Sequence, residues 1–324
     1  MFRFCCLIAA ALIALSAPGG CGSNKGAKHL TIAVIPKGST HEFWKAIHAG
    51  ALDAAQEVGV DIIWKGPIKE DDREEQIQTV ESFISAGVDA IVLAPLDDRA
   101  LVMPVREAKS AGIPTVIIDS GLEGNDHIAF VATDNFRGGV LGAERIGQLM
   151  NNSGKLIMVR CMEGAASSTA REEGFITTIR SKFPGFTVLS DNQYAGAMTE
   201  SAYRTCETLL NRFGDVEAIF TPNESSTFGC LRALQDFGLA GKVVFVGFDS
   251  SDKLIEALRN GEIHGLVVQN PYRMGYDGVK TAAAFLRRQP FENHIDTGVH
   301  LVTKENIDDP AIRELLHHTV KSEN

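Results

Sequence analysis

From residue 30 onward the apolar residues follow two alternating patterns. Short, nearly unbroken apolar runs, beginning with 30–36 (LTIAVIP), are each followed by a longer stretch with apolar positions every three or four residues. In the first such stretch Phe43, Ile47, Ala51, Ala54 and Val58 are spaced 4, 4, 3 and 4 apart. That spacing puts them on one face of a helix over 41–58. Gly59 supplies the residue that helix C-termini favour. The same reading predicts strands over 60–64, 90–94 and 115–118 and helices over 74–86 and 100–111, with Gly87 and Gly112 near the helix ends. After a strand over 130–133 the alternation begins again. Helices over 138–150, 169–182, 200–213, 226–237 and 253–259 interleave with strands over 155–159, 187–189, 218–220, 243–246 and 265–268. A further helix over 275–287 and the segment 298–303 belong to one half or the other. Strands that are apolar on both faces, alternating with amphipathic helices, indicate parallel sheets covered on both sides.

The chain has 324 residues, which fits two domains of roughly 150 residues each. The fold class expected is therefore α/β, with two doubly wound parallel-sheet domains. No linker separates the halves, so a ligand cleft is expected between them. The boundaries are a first lobe of 29–134 plus about 270–296, and a second lobe of 135–269 plus about 297–324. A net charge of -10 provides no positive field to recruit phosphates, which argues against nucleic-acid binding.

The first 20 residues differ from the rest. One Arg precedes the 14-residue uncharged run 4–17 (FCCLIAAALIALSA). That run is short for a bilayer span and suits the apolar region of a signal peptide. Small residues follow, then Cys21. Gly20 before Cys21 resembles a bacterial lipobox, although Pro18 stands where a Leu is usual. The expectation is a signal peptide over 1–20, lipidation of Cys21 and a flexible tether over 21–28. An ordinary secretory signal or an uncleaved anchor is the plainer alternative. No other stretch approaches 18 apolar residues, so the remainder is expected to be soluble. Cys161, Cys206 and Cys230 lack metal-ligand spacing. One pair could be bridged in an oxidising compartment, but three buried thiols are the simpler expectation. Neither a metal nor a cofactor is expected.

Ligands of open α/β sheets sit at the carboxyl ends of the strands. The polar residues after the apolar runs include Lys37, Asp119, Ser120, Asn223, Asp249 and Gln269. Carboxylates can accept from vicinal hydroxyls, and amides both donate and accept. Phe43 and Trp44, early in the first helix, could stack on a sugar ring. Each residue also has a plain structural role available: Asp119 and Asp249 as helix caps, Asn223 as an N-cap, Phe43 in the core, Gln269 in a turn.

In order, the segments HEFWKAIHAGALDAAQEVGV (41–60), VIID (116–119), VATDN (131–135), AREEGF (170–175), IFTPNESSTFGCLRAL (219–234), VFVGFD (244–249) and VVQNPYRMGYDGVK (267–280) resemble the type I periplasmic sugar-binding proteins of ABC importers, the ribose-binding group. The resemblance spans about 30–302. It implies ligand contacts from His41, Phe43, Trp44, Asp119, Arg171, Asn223, Asp249 and Gln269. Ser120 replaces the ribose group's Arg, Ala94 its Asn, and 196–198 lacks a matching aromatic; Tyr194 is out of register. These departures point away from ribose, toward another small sugar or polyol. Lys37 with Asp119 and Ser120 also resembles receptors for autoinducer-2, a furanosyl signal, but those lack the Arg171, Asn223 and Asp249 set. The expected function is an exported, monomeric solute receptor that closes by a hinge and delivers a sugar or polyol to the membrane subunits of an ABC permease. A chemoreceptor or sensor kinase is a further partner for this fold. No nucleophile–base motif or phosphate loop appears, so an enzyme is not expected. A repressor of the lactose-repressor type would need a helix-turn-helix where the export signal stands.

Overall fold

A computed structural model describes residues 1, 2 and 29–320. The rest of the leader, Cys21 and its tether lie outside the described residues. Two six-stranded sheets form the two lobes.

The first sheet contains β1 (Thr31–Ile35), β2 (Asp61–Trp64), β3 (Ala90–Leu93), β4 (Thr115–Ile118) and β5 (Ala129–Ala132). Its helices are α1 (Glu42–Val58), α2 (Arg73–Ala86) and α3 (Val102–Ser110). The second lobe takes over with α4 (Asn135–Leu149), β6 (Ser153–Arg160), α5 (Ala166–Lys182), β7 (Gly185–Tyr194) and α6 (Thr199–Arg212). It continues with β8 (Ala218–Phe220), α7 (Glu224–Asp236), β9 (Val244–Phe248), α8 (Asp252–Asn260) and β10 (Gly265–Gln269). The chain then returns to the first lobe for α9 (Pro271–Leu286) and β11 (His294–Asp296), and crosses back for β12 (Val299–Val302) and α10 (Pro310–Val320).

The strand orders are β11-β5-β4-β3-β1-β2 and β12-β10-β9-β8-β6-β7. Pairing is parallel throughout the first sheet. In the second, β12 runs antiparallel to β10, a single reversed edge strand on the expected parallel sheet. Strand β11 runs parallel in the first sheet and so ends at the cleft, and the short 297–298 connection brings the chain into the second sheet from its cleft end, so β12 runs opposite to its neighbour.

Central strands β3 and β4 are buried at every position, as a sheet covered on both faces demands. One face of the first sheet packs Ile32, Val34, Val92 and Val116 with residues of α1 and α9. The other packs Ile35, Leu93 and Ile117 against Val80, Phe83 and Val105 of α2 and α3. In the second lobe, Phe175 of α5 stacks on Phe220 of β8 with centroids 4.0 Å apart. On the opposite face α10 contributes Ile312, Leu315 and Leu316 to the core. Helix α10 also runs alongside α1 of the first lobe. Helices α1 and α9 cross so closely that a Cβ on Gly275 would lie 2.0 Å from the Ile47 carbonyl oxygen.

Cys206 of α6 and Cys230 of α7 form a disulfide with Cα atoms 5.3 Å apart. This corrects the expectation of three thiols. The two positions face each other across the α6–α7 contact, a pairing between helices that local spacing does not reveal. Cys161 remains a buried free thiol.

Candidate functional site

The carboxyl ends of both sheets face one cavity between the lobes. The first lobe contributes Lys37 after β1, Glu70 after β2, Leu96 after β3 and Asp119 after β4, with His41, Phe43 and Trp44 at the start of α1. The second contributes Cys161 and Met162 after β6, Ala197 after β7, Asn223 after β8, Asp249 after β9 and Gln269 at the end of β10. Ser167, Ser168 and Arg171 line it from α5, and Glu224 from α7.

Asp119 and Asp249 occupy equivalent places in the two lobes. Both have left-handed backbone, with φ of 63° and 67°, and both are buried. For non-glycine residues this conformation is uncommon, though Asp adopts it more readily than most. Arg171 lies between them, 4.0 Å from each carboxylate. Its Nε donates to Asn135 Oδ1 at 2.7 Å and its Nη1 to the Pro222 carbonyl at 2.9 Å. The guanidinium is packed 4.1 Å from the Phe248 ring centroid. It is thus fixed in place with Nη2 toward Asp119.

Asp249 accepts from Gln269 Nε2 at 2.7 Å and from the Glu224 backbone N–H at 3.0 Å. Burial raises its pKa, an effect that Arg171 and Gln269 oppose. Gln269 Oε1 is buried without a hydrogen-bond partner among the described residues, an acceptor available for a ligand hydroxyl. Lys37 Nζ pairs with Asp119 at 2.7 Å and donates to Ser167 Oγ, on the opposite lobe, at 3.1 Å.

His41 Nδ1 meets Glu70 Oε1 at 2.5 Å. The same oxygen accepts from Trp44 Nε1 at 2.5 Å. Burial opposes the charged imidazole, but Glu70 outweighs it, so the His41 pKa rises to about 9. Burial likewise opposes Glu70 ionisation, yet His41 and Trp44 hold that pKa down. Glu224 is pushed up to about 7 by burial. Its carboxylate accepts from the Phe43 backbone N–H of the facing lobe at 3.3 Å.

Two expected contacts take other work. Ser120 does not line the cavity; its Oγ accepts from the Ser167 backbone N–H, tying the lobes together. Asn223 lines the cavity but also caps α7 in a reciprocal capping box with Ser226. Phe43 and Trp44 both reach the cavity while also packing in the first core, with ring centroids 5.0 Å apart at 90°. Trp44 therefore is buried, not merely set off the apolar face. Tyr194 is exposed and stands over Arg160.

Sequence reading missed Glu70, Leu96, Cys161, Met162, Ser167 and Ser168. The strand-end rule finds Glu70 once it is applied to the 65–72 segment after β2. Leu96, Cys161 and Met162 sit on loops and Ser167 and Ser168 in the first turn of α5, and their approach to the cavity depends on the lobes meeting.

The lobes also meet at the rim. Arg73 of α2 pairs with Asp97 at 2.9 Å and donates to the Glu163 carbonyl at 2.9 Å. The Asp98 N–H donates to the Gly164 carbonyl at 2.9 Å. No helix among the described residues is long and apolar enough to cross a membrane, and none of their His, Cys, Asp and Glu side chains cluster as a metal site.

Two α/β lobes joined by three chain crossings, with strand ends converging on a shared polar cavity, define a solute receptor of the periplasmic binding protein class. The chain belongs to this family: a sequence profile of the periplasmic binding protein domain matches residues 32–290. Among relatives, the ribose import binding protein of Haemophilus influenzae is 26% identical over 282 residues, covering 87% of this chain and 94% of that protein. The D-allose-binding periplasmic protein of Escherichia coli is 30% identical over 257 residues, covering 76% and 82%. A carbohydrate-transporter solute-binding protein from Agrobacterium radiobacter, solved with D-arabinose, superposes with a TM-score of 0.86 at 34% identity, covering 89% of this chain and 99% of that one.

Proposed function

We propose that this protein captures one monosaccharide or small polyol in the cleft and delivers it to an ABC permease. The observation carrying this reading is the ring of fixed donors and acceptors from both lobes. Asp119, Asp249 and Gln269 Oε1 supply acceptors, Arg171 and Lys37 supply donors, and Trp44 supplies an aromatic face. His41, Asn223 and Phe43 complete the proposed contacts. Most charges on the wall are paired within the protein, Lys37 with Asp119 and His41 with Glu70. Such a wall suits a neutral, hydroxyl-rich ligand. Ligand favours the closed arrangement because it touches both lobes at once. Arg171, Asn223 and Asp249, absent from the autoinducer-2 group, all line the cavity, which favours a sugar over that signal.

Cys21, preceded by the apolar leader, is the proposed lipid attachment point holding the receptor at the periplasmic face of a membrane. Cys21→Ser should then move the protein to the soluble fraction; retention at the membrane would refute lipid anchoring.

The functional test is a thermal-shift screen of the mature chain against pentoses, hexoses and polyols, in which a bound ligand raises the melting temperature by mass action. Asp119→Ala should weaken binding of the sugar that hits by ~100-fold, since hydrogen bonds to a charged acceptor are lost. No shift with any sugar, or unchanged affinity in the variant, would overturn the reading.

A further inference from the structure

Glu70 reaches the cleft from further along its loop than the other strand-end residues, six positions past the end of β2 at Trp64. It belongs to no regular element, yet its side chain is only 12% exposed. One of its oxygens receives both His41 Nδ1 and Trp44 Nε1. The turn beneath it is fitted to it: a Cβ on Gly38 would lie 2.5 Å from Glu70 Cγ. The β1–α1 turn, the start of α1 and the β2–α2 loop are thereby locked into one rigid wall.

With Nδ1 committed to Glu70, the chemistry His41 offers a ligand depends on Nε2. In neutral imidazole that nitrogen accepts; in imidazolium it donates. We propose that Glu70 is a specificity-determining positioning residue: it keeps His41 a donor-only imidazolium and fixes the Trp44 ring, so this wall selects a ligand oxygen that can accept. The proposal rests on the sugar-receptor reading for its ligand but not for its protonation state.

The charged groups facing His41 are Glu70 from the β2–α2 loop, Glu224 from α7 and Asp249 from the β9–α8 turn. Lys37, from the β1–α1 turn, acts on Glu70. Glu70 alone of the three carboxylates makes a direct bond to the imidazole. Removing its charge leaves the burial that opposes protonation.

The experiment is a two-dimensional NMR titration of His41 in the ligand-free protein, wild type and Glu70→Gln, with calorimetry of D-ribose, D-arabinose and D-allose. Wild-type His41 should stay protonated up to about pH 9. In Glu70→Gln, where burial opposes protonation and only Glu224 and Asp249 still favour it, it should titrate well below its wild-type value. A sugar that binds should then lose ~10-fold or more in affinity at about pH 8 in the variant, relative to wild type at the same pH, and regain part of it at about pH 5; comparison at matched pH cancels the titration of Glu224 near 7, which both proteins share. A wild-type His41 that titrates at or below its ordinary value overturns the proposal, as does an affinity loss in Glu70→Gln that is equal at both pH values. If Glu70→Gln does not fold, the wild-type titration still decides. If none of the three sugars binds, the sugar reading is weakened, and the titration of His41 still judges the role of Glu70.

Discussion

Gly164 offers a way to perturb affinity from outside the cavity. It has a left-handed backbone with φ of +82°, and a Cβ there would lie 2.2 Å from Asp97 Oδ2 and 3.4 Å from Arg73 Nη2. Asp97 cannot easily retreat. Its Oδ1 accepts from the backbone N–H groups of Arg99 at 2.9 Å and Ala100 at 2.8 Å, and its Oδ2 pairs with Arg73. Gly164→Ala must therefore break the Arg73–Asp97 pair or hold the rim apart. Arg73 is partly exposed (44%), so its ion pair is discounted for solvent screening. After that discount the charge-assisted bonds at stake leave about 1 to 2 kcal/mol. That penalty falls on the closed form alone and lowers the closed fraction, so the apparent Kd should rise by roughly 5- to 30-fold. Left-handed strain adds about 1–2 kcal/mol, but to both open and closed forms, and so affects stability. Gly59→Ala is the control: φ there is +63°, with nothing within 4 Å of the added Cβ. It should lower the melting temperature and leave Kd alone. Calorimetry with the sugar found by screening, and small-angle scattering of the complex, read both quantities. A Gly164→Ala protein with wild-type Kd and wild-type radius of gyration would refute the rim as an affinity determinant.

Other perturbations test separate parts of the structure. Replacing Cys206 and Cys230 together by Ser removes a link across a separation of 24 residues, for which chain-entropy arguments give roughly 3.5 kcal/mol. A denaturation midpoint equal to that of the oxidised wild type would contradict the bridge. The apo protein should lose stability as pH rises from about 5 to about 9. Three large upward shifts act in this direction, at Glu224, at Glu172, which burial also pushes to about 7, and at His41, against the smaller downward shifts that burial imposes on His48, His127 and His264. Glu224 contributes fully below its ordinary 4.5 and loses its contribution as pH rises through about 7. His41 contributes fully below 6.5 and loses its contribution as pH rises through about 9. Urea midpoints that rise across this range would reject the assignment. Asn223→Asp retains an oxygen for the α7 cap and removes the amide donor, so melting should hold while sugar affinity falls; a matched fall in both would make the residue structural only.

Periodicity made the architecture legible because β1, β3 and β4 are buried on both faces and the helices each have an apolar stripe. It failed at the edges. Strand β7 extends over Gly185–Tyr194 with polar, exposed positions, whereas hydrophobicity alone marked only 187–189. Strand β11 is three residues with little burial and gave no signal. Helix α4 begins at Asn135 because Asp134 accepts from the Arg137 N–H, earlier than its apolar face suggests. At the site, Asp119, Asp249 and Gln269 were readable because topology puts strand ends at the cleft. The Cys206–Cys230 bridge and the burial of Glu70 were not, since both depend on how separate elements meet in three dimensions.

The interleaved path through the lobes has a consequence for biogenesis. The first sheet draws β11 from residues 294–296, and α9, which packs over β3, β4 and α1, from 271–286. Until residues 271–296 have been made, the sheet face that α9 covers alongside α1 stays partly bare. The second lobe, whose α4 to β10 form one unbroken stretch, can take shape earlier. A nonsense truncation before residue 271 would therefore spoil the lobe that was made first.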